Sequence, residues 1–282
     1  MTAPLTFVTP AEMSAWSDAT RTRGERIAFV PTMGYLHAGH TALMDEAHRH
    51  GQRVVLSIFV NPTQFGPHED LDRYPRDLPG DMQKAAAHGV DAVFLPTPAN
   101  MYPTGHQTTV RVHELEQGLC GASRPGHFAG VATVVCKLFN IVRPHAAVFG
   151  EKDFQQLAVI RRMVRDLDMP VEIIPLATVR EPDGLAMSSR NKYLSPDERQ
   201  RALALSRALF AARAAHAAGA TDAAALVTGV VAGIRDAVTR LDYVELTDAE
   251  TLRPLAVVDR PAVIALAAFV GRTRLIDNVR LG

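Results

Sequence analysis

RIAFVPTMGYLHAGHTALMDEAHRHGQRVVLSIFVNP, from Arg26 to Pro62, is the stretch on which the reading of the fold turns. RIAFVP is a continuous apolar run of strand length and predicts a buried strand. HTALMDEAHRH predicts a helix that ends at Gly51, and RVVLSIFVNP a second buried strand. The order β-α-β requires two parallel strands joined by a crossover helix, since a hairpin cannot join parallel neighbours. The pattern continues outward. LPGDMQKAAAHG precedes the apolar DAVFLP, GVATVVCKLFNIV precedes AAVFG, and FQQLAVIRRMVRDLD precedes the β-branched VEIIPLATV. Such alternation implies an α/β fold: a parallel sheet with helices on both faces and right-handed crossovers. Ligands of such sheets sit beyond the carboxyl ends of the strands, where PTMG, VNPTQF and FGEKD all fall.

Beyond about residue 180 the alternation stops. SPDERQRALALSRALFAARAAHAAG predicts a long helix with Ser195 as N-cap, Pro196 in the first turn and Glu198 completing a capping box. TDAAALVTGVVAGIRDAV predicts a second helix, capped by Thr221. DYVELTDAETL and AVIALAAFVGRTRLIDNVRL then predict strands of a smaller sheet. The expected division is therefore 1–178 for the parallel-sheet domain and 179–282 for a smaller α+β domain.

Composition narrows the partner. Thirty basic residues balance thirty acidic ones in 282, so net charge provides no attraction for nucleic acid or a membrane surface. No run approaches the roughly 18 apolar residues of a membrane helix. The start, MTAPLTFVTPAEM, lacks the basic and apolar regions of a secretory leader, and the two cysteines suggest no disulfide framework. The expectation is a cytoplasmic protein with free thiols and small-molecule partners.

Four segments carry the chemistry. In the first, a helix starting near Ala38 places His37 and His40 at its first turn, where unpaired backbone N–H groups and the positive end of the helix dipole favour phosphate. The same pair is compatible with chance among 11 histidines, or with metal, although no Cys, Asp or Glu stands beside it to complete a metal set. Gly34 and Gly39 suit a turn and close approach to a ligand. In the second, FGEKDFQQ, Lys152 can place charge on phosphate oxygens, Asp153 can cap the following helix, and Gln156 lies one turn on. The bland reading is a solvated helix start. In the third, AMSSRNKYL, Ser188 and Ser189 offer hydroxyls and Arg190 a planar fork, in what is otherwise a polar linker. In the fourth, VNPTQF, the amides of Asn61 and Gln64 suit a polar substrate, or merely a rigid loop around Pro62. Tyr74, Arg124 and His127 read as structural. No GxxxxGK[ST] occurs, so a P-loop is excluded.

Taken together, PTMGYLHAGH, SIFVNPTQF, GASRPGHF, FGEKDFQQL, GLAMSSRNKYL and RLIDN resemble the pantothenate synthetase (pantoate–β-alanine ligase) family nearly end to end. HAGH is similar to the HxGH signature of the wider nucleotidyltransferases, and MSSR to the mobile KMSKS-type loop of class I aminoacyl-tRNA synthetases. The resemblance implies a Rossmann-like N-terminal domain, a C-terminal lid and a homodimer. It also implies the two-step condensation of pantoate with β-alanine through pantoyl adenylate, with ATP as co-substrate. On the same ground Met33, Gly34, Tyr35, Leu36, His37, Ala38, Gly39 and His40 are expected at ATP, as are Gly150, Glu151, Lys152, Asp153, Val179, Met187, Ser188, Ser189 and Arg190. His40 is the implied proton donor, with His37, Lys152, Ser188, Ser189 and Arg190 also catalytic. Gln64 and Gln156 are expected to hold pantoate, Gln64 also meeting β-alanine. Mg²⁺ is expected to arrive with the phosphates, with Asp81 as a carboxylate partner. Two other functions share HxGH: transfer of AMP to a phosphate acceptor, and nucleotide sensing without turnover.

Overall fold

The computed structural model describes residues 3–67 and 69–282, and they divide into two compact units. Of the described residues, the first takes 3–67, 69–112, 124–151 and 159–177; the second takes 113–123, 152–158 and 178–282. Six strands form the sheet of the first: β1 (Leu5–Phe7), β2 (Ile27–Thr32), β3 (Arg53–Ile58), β4 (Ala92–Phe94), β5 (Ala146–Gly150) and β6 (Glu172–Leu176). They are parallel throughout, in the order β1-β4-β3-β2-β5-β6. The helices before the domain change are α1 (Pro10–Thr22), α2 (Ala38–Ala47), α3 (Leu78–Ala87), the short α4 (Pro98–Met101) and α5 (Leu119–Ser123), α6 (His127–Val142) and α7 (Phe154–Asp166).

Strand β2 shows why the apolar run is unbroken. Ile27 to Val30 are fully buried, and successive side chains of a strand face opposite sides of the sheet. Ala28 and Val30 join a cluster with Leu43, Met44 and Ala47 of α2 and Ala85 of α3. Phe29 meets Phe139 of α6 edge-on, with ring centroids 6.3 Å apart. Both faces are covered, so no polar alternation survives in the sequence.

In the second unit the strands are antiparallel, in the order β7 (Arg240–Asp248), β8 (Ala262–Val270), β9 (Thr273–Leu281). Helices α8 (Pro196–Ala217) and α9 (Ala223–Ile234) pack their apolar faces on it, in a core that includes Leu205, Leu209, Val230, Ile264 and Leu266. The capping box of α8 forms as its sequence predicts: Ser195 Oγ accepts from Glu198 N, and Glu198 Oε2 accepts from Ser195 N. For α9 the expected cap is corrected. Asp222, not Thr221, caps the helix, its Oδ1 accepting from Ala225 N at 2.7 Å. Helix α2 stops at Ala47, short of Gly51, because the chain turns there and packs tightly on β2: a Cβ on Gly51 would lie 2.6 Å from Ala28 N. The structure also adds β1 and α1 ahead of the alternation that begins at Arg26.

Among the described residues no helix is long and apolar enough to cross a membrane. Cys120 and Cys136 are free.

The turn that follows β3, Pro62–Gln64, is wedged against α6. Gly130 of α6 makes that approach possible: a Cβ there would overlap the Thr63 carbonyl and lie 2.8 Å from Gln64 N, both backbone atoms that cannot swing aside. From the other direction Arg124 clamps Glu69, Nε to Oε1 at 2.7 Å and Nη2 to Oε2 at 2.5 Å, while Nη2 also reaches the Gln64 carbonyl at 3.3 Å. His127 donates from Nδ1 to that same carbonyl at 2.8 Å, a tautomer enforced by Arg124 Nη1 donating to its Nε2 at 3.0 Å. Arg124 and His127 thus brace the turn.

Gly130→Ala should destabilise the protein by about 1–3 kcal/mol through overpacking, although alanine is intrinsically the better helix former by about 1 kcal/mol; chemical denaturation reads the sign directly. A second outcome concerns acid. Burial alone would raise the Glu69 carboxyl, but the Arg124 fork and charge, with the Gly66 N–H, outweigh it and hold the group below its ordinary 4.5. Its contribution is therefore present above that value and lost as pH falls through the lower folded value. Glu69→Gln should be less stable than wild type at neutral pH, with the difference shrinking in denaturation midpoints measured at successively lower pH.

Candidate active site

The strand order reverses at β2, which has β3 on one side and β5 on the other. In parallel sheets such a reversal splays the loops apart and opens a crevice at the carboxyl ends. The registered pairs Ala28–Ala146 and Phe29–Ala147 make β2 and β5 end level, at Thr32 and Gly150. Pro31 lies beyond those pairs and has no N–H to extend the ladder. Met33–His40 and Gly150–Glu151 thus leave the sheet side by side.

The loop from β2 to α2 is held in an unusual shape. Gly34 has φ +83° and Tyr35 φ +51°, both left-handed. Glycine is required at the first, where a Cβ would lie 2.8 Å from Ile58 Cγ2 and 3.0 Å from Asp81 Oδ2. Thr32 Oγ1 donates to the Ser57 carbonyl at 2.8 Å and accepts from Gly34 N at 3.2 Å. Asp81, at the start of α3 and 1% exposed, takes the next two amides: Tyr35 N to Oδ2 at 2.8 Å and Leu36 N to Oδ1 at 2.7 Å. Both oxygens of Asp81, the carboxylate expected to partner Mg²⁺, thus shape the loop. Burial pushes the Asp81 carboxyl upward against the pull of the Leu36 and Tyr35 amides.

The two histidines sit where the helix begins. His37 is the N-cap of α2, and its Nδ1 accepts from Gly39 N at 3.1 Å. His40 reaches back, its Nδ1 accepting from His37 N at 3.3 Å, and the ring centroids lie 4.1 Å apart. Backbone amides can only donate, so Nδ1 of each ring is unprotonated and a neutral ring carries its proton on Nε2. The pair is a capping box built from imidazoles. Both rings stand at the N-terminus of α2, where negative charge is favoured.

After β3 the two amides of VNPTQF divide. Asn61 is 1% exposed: its Oδ1 accepts from Tyr102 OH at 2.8 Å and Thr63 Oγ1 at 3.0 Å, and its Nδ2 donates to Gln64 Oε1 and the Gly130 carbonyl, each at 3.2 Å. Asn61, expected at the substrate, thus has its donors and acceptors engaged within the chain. Gln64 is half-buried and lies against Met33, Nε2 to Sδ at 3.1 Å, so the loops after β2 and β3 meet there.

In the second unit, Lys152 belongs to the 3₁₀ turn Glu151–Asp153, with Nζ 3.7 Å from Asp153 Oδ2. Of the adjacent glutamines, Gln155 is buried and donates to the carbonyls of Leu115 and Gly118 at 2.9 and 2.8 Å, whereas Gln156 is half-buried. Val179 and Met187 are tied together, Met187 N donating to Val179 O at 3.0 Å. Ser188 then caps the 3₁₀ turn Ser189–Tyr193, its Oγ accepting from Arg190 N at 3.2 Å. Asn191 donates to Glu181 Oε1 at 2.7 Å, and Arg199 of α8 grips Glu181 and Asp183, each at 2.6 Å. Sequence reasoning missed this belt and the roles of Gln155 and Tyr102. Only the side-by-side QQ pair signals that one glutamine is structural.

Comparison with known proteins agrees with the motifs. The family model described as pantoate-beta-alanine ligase matches residues 5–280. The pantothenate synthetase of Anaeromyxobacter dehalogenans is 60% identical, with 100% of each chain covered, and that of Myxococcus xanthus 56% identical over 99% of this chain and 97% of its own. Among solved structures, the pantothenate synthetase of Thermus thermophilus superposes with a TM-score of 0.91 at 48% identity, covering 98% of both chains. The pantoate-beta-alanine ligase of Francisella tularensis, complexed with beta-gamma ATP and beta-alanine, gives 0.83 at 33% identity, covering 98% of this chain and 97% of its own. A family model spanning nearly the whole chain, carried on a sheet whose switch point bears the HAGH turn, makes this chain a member of the pantoate–beta-alanine ligase family.

Proposed function

We propose that the protein condenses pantoate with β-alanine, consuming ATP and releasing pantothenate, AMP and pyrophosphate. The observation that carries the reading is the imidazole capping box at the switch point: two histidines fixed at a helix N-terminus beyond the carboxyl end of β2. The ATP and β-alanine held by the Francisella tularensis relative support the same substrates here.

In the first step a pantoate carboxylate oxygen forms a bond to the α-phosphorus of ATP, and the bond from that phosphorus to pyrophosphate breaks. A carboxylate meeting a triphosphate is repelled, so the protein's task is to align the reactants and neutralise charge developing on the phosphoryl oxygens. His40 is assigned the proton-donor role through Nε2, with His37 beside it. Lys152 and Arg190 supply cations, and Ser188 and Ser189 hydroxyls. The backbone around Met33–His40, Gly150–Asp153, Val179 and Met187 cradles the nucleotide. Gln64 and Gln156 hold pantoate with groups that add no charge. In the second step the β-alanine nitrogen attacks the acyl carbon, the bond to AMP breaks and the amine releases a proton. The mixed anhydride is destroyed by water, which gives residues 179–282 a purpose as a closing lid. The homodimer and a cytoplasmic setting are carried over from the family resemblance and the sequence.

Magnesium enters this reading only with the phosphates. Among the described residues no group of three or more His, Cys, Asp or Glu side chains could hold a metal ion, and Asp81 is committed to the loop.

Pantoate-dependent exchange of labelled pyrophosphate into ATP, without β-alanine, is the decisive test: exchange requires the adenylate. Exchange that needs a nucleotide acceptor in place of pantoate would identify a dinucleotide-forming enzyme, and nucleotide binding with neither signal a sensor. His40→Ala should lower single-turnover adenylation by roughly 10²–10³, about 2.7–4 kcal/mol of transition-state stabilisation. Adenylation at the wild-type rate would refute the assigned role.

A further inference from the structure

The RLIDN segment at the C-terminal strand has no part in the mechanism above, yet it holds two of the segments that do. Strand β9 presents successive side chains to opposite faces of its sheet. Asp277, 3% exposed, faces the helices and takes the guanidinium of Arg180 in a fork, Nη1 to Oδ2 at 2.7 Å and Nη2 to Oδ1 at 2.9 Å. Arg180 also stacks on Phe210 of α8, 4.7 Å from the ring centroid, and reaches the Gly184 carbonyl at 3.2 Å. Arg180 is bridged to Ala186, and its neighbour Val179 is bonded to Met187. The fork therefore fixes the base of the hairpin that ends in Met187–Arg190. Asn278, on the other face and 6% exposed, donates from Nδ2 to the main-chain carbonyl of Lys152 at 2.9 Å. The Asn278 N–H in turn donates to Asp277 Oδ1 at 2.8 Å, linking the two clamps.

We infer that Asp277 and Asn278 are positioning residues for the nucleotide site: one strand dipeptide sets the base of the Met187–Arg190 segment and the backbone of Lys152 at the same time. The arrangement is economical, because β9 is paired to β8 along its whole length and its two faces are separated by one residue. A fork between planar groups also fixes orientation, which a lysine at position 180 would not. The inference rests on the reading that Lys152 and Met187–Arg190 meet ATP.

The test is steady-state and single-turnover kinetics of Asn278→Ala in the full-length protein, with Lys152→Ala alongside. Loss of one hydrogen bond to the Lys152 carbonyl should raise KM for ATP, or lower the adenylation rate, by about 3- to 10-fold, with KM for pantoate unchanged and little change in melting temperature. Arg180→Lys, which keeps the charge and loses the fork, should show the same split between ATP and pantoate and serves if Asn278→Ala does not fold. Impaired ATP handling in Lys152→Ala with wild-type ATP parameters in both Asn278→Ala and Arg180→Lys overturns the inference while leaving the nucleotide site in place. Unimpaired ATP handling in Lys152→Ala overturns the nucleotide-site reading itself. Equal losses for ATP and pantoate in step with melting temperature would reduce the pair to general scaffolding and also overturn it.

Discussion

The carboxylate of Asp81 is the constraint on which the first unit's site depends. Between β2 and α2 the chain has two left-handed residues in succession, and at Tyr35 that conformation is costly for a residue with a side chain. A buried carboxylate accepting two consecutive amides holds the chain in that shape. Were the loop to relax, Leu36 would leave its cluster and the start of α2 would shift with it. The acid lies in α3, so the loop's shape also links two crossover helices on one face of the sheet.

What the loop delivers is a pair of imidazoles whose tautomers are set by the backbone. Ordinary caps use hydroxyls or carboxylates. Here the cap atoms are ring nitrogens, so capping and chemistry are coupled: protonating Nδ1 of either ring removes the acceptor that holds the turn. The backbone N–H groups thus fix Nδ1 of each ring as an acceptor.

Burial distinguishes the four carboxamides. Asn61 and Gln155 are carboxamides with the same hydrogen-bonding repertoire as Gln64 and Gln156, yet they are enclosed and bonded to carbonyls or hydroxyls of the chain. Their partners brace the turn and the helix that carry the other two. The same division runs through the charged residues: Arg124 fixes a turn and Arg180 a hairpin, while Lys152 and Arg190 are the cations assigned to the nucleotide.

Local rules made much of the fold legible. Unbroken apolar runs and helical spacing marked the strands and helices from Arg26 to Leu176, and the Ser-Pro-x-Glu signal marked α8, since these depend only on neighbours along the chain. The same rules could have found α1, where Thr9, Pro10 and Glu12 form an equivalent capping box. The candidate motifs were legible as polar, glycine-rich breaks after strands. Their internal assignments were not: that Asp81 shapes a loop 45 and 46 residues away, or that Asn61 is enclosed by Tyr102 and Gly130, depends on contacts between distant segments. Nor does any local pattern show that residues 113–123 and 152–158 cluster with the second unit. Sequence by itself determined which segments are strands, helices and chemistry-bearing turns, because backbone preference and apolar periodicity are properties of short stretches. Tertiary structure alone decided which polar groups support and which remain available for a ligand, because that depends on what folding buries and against which partner.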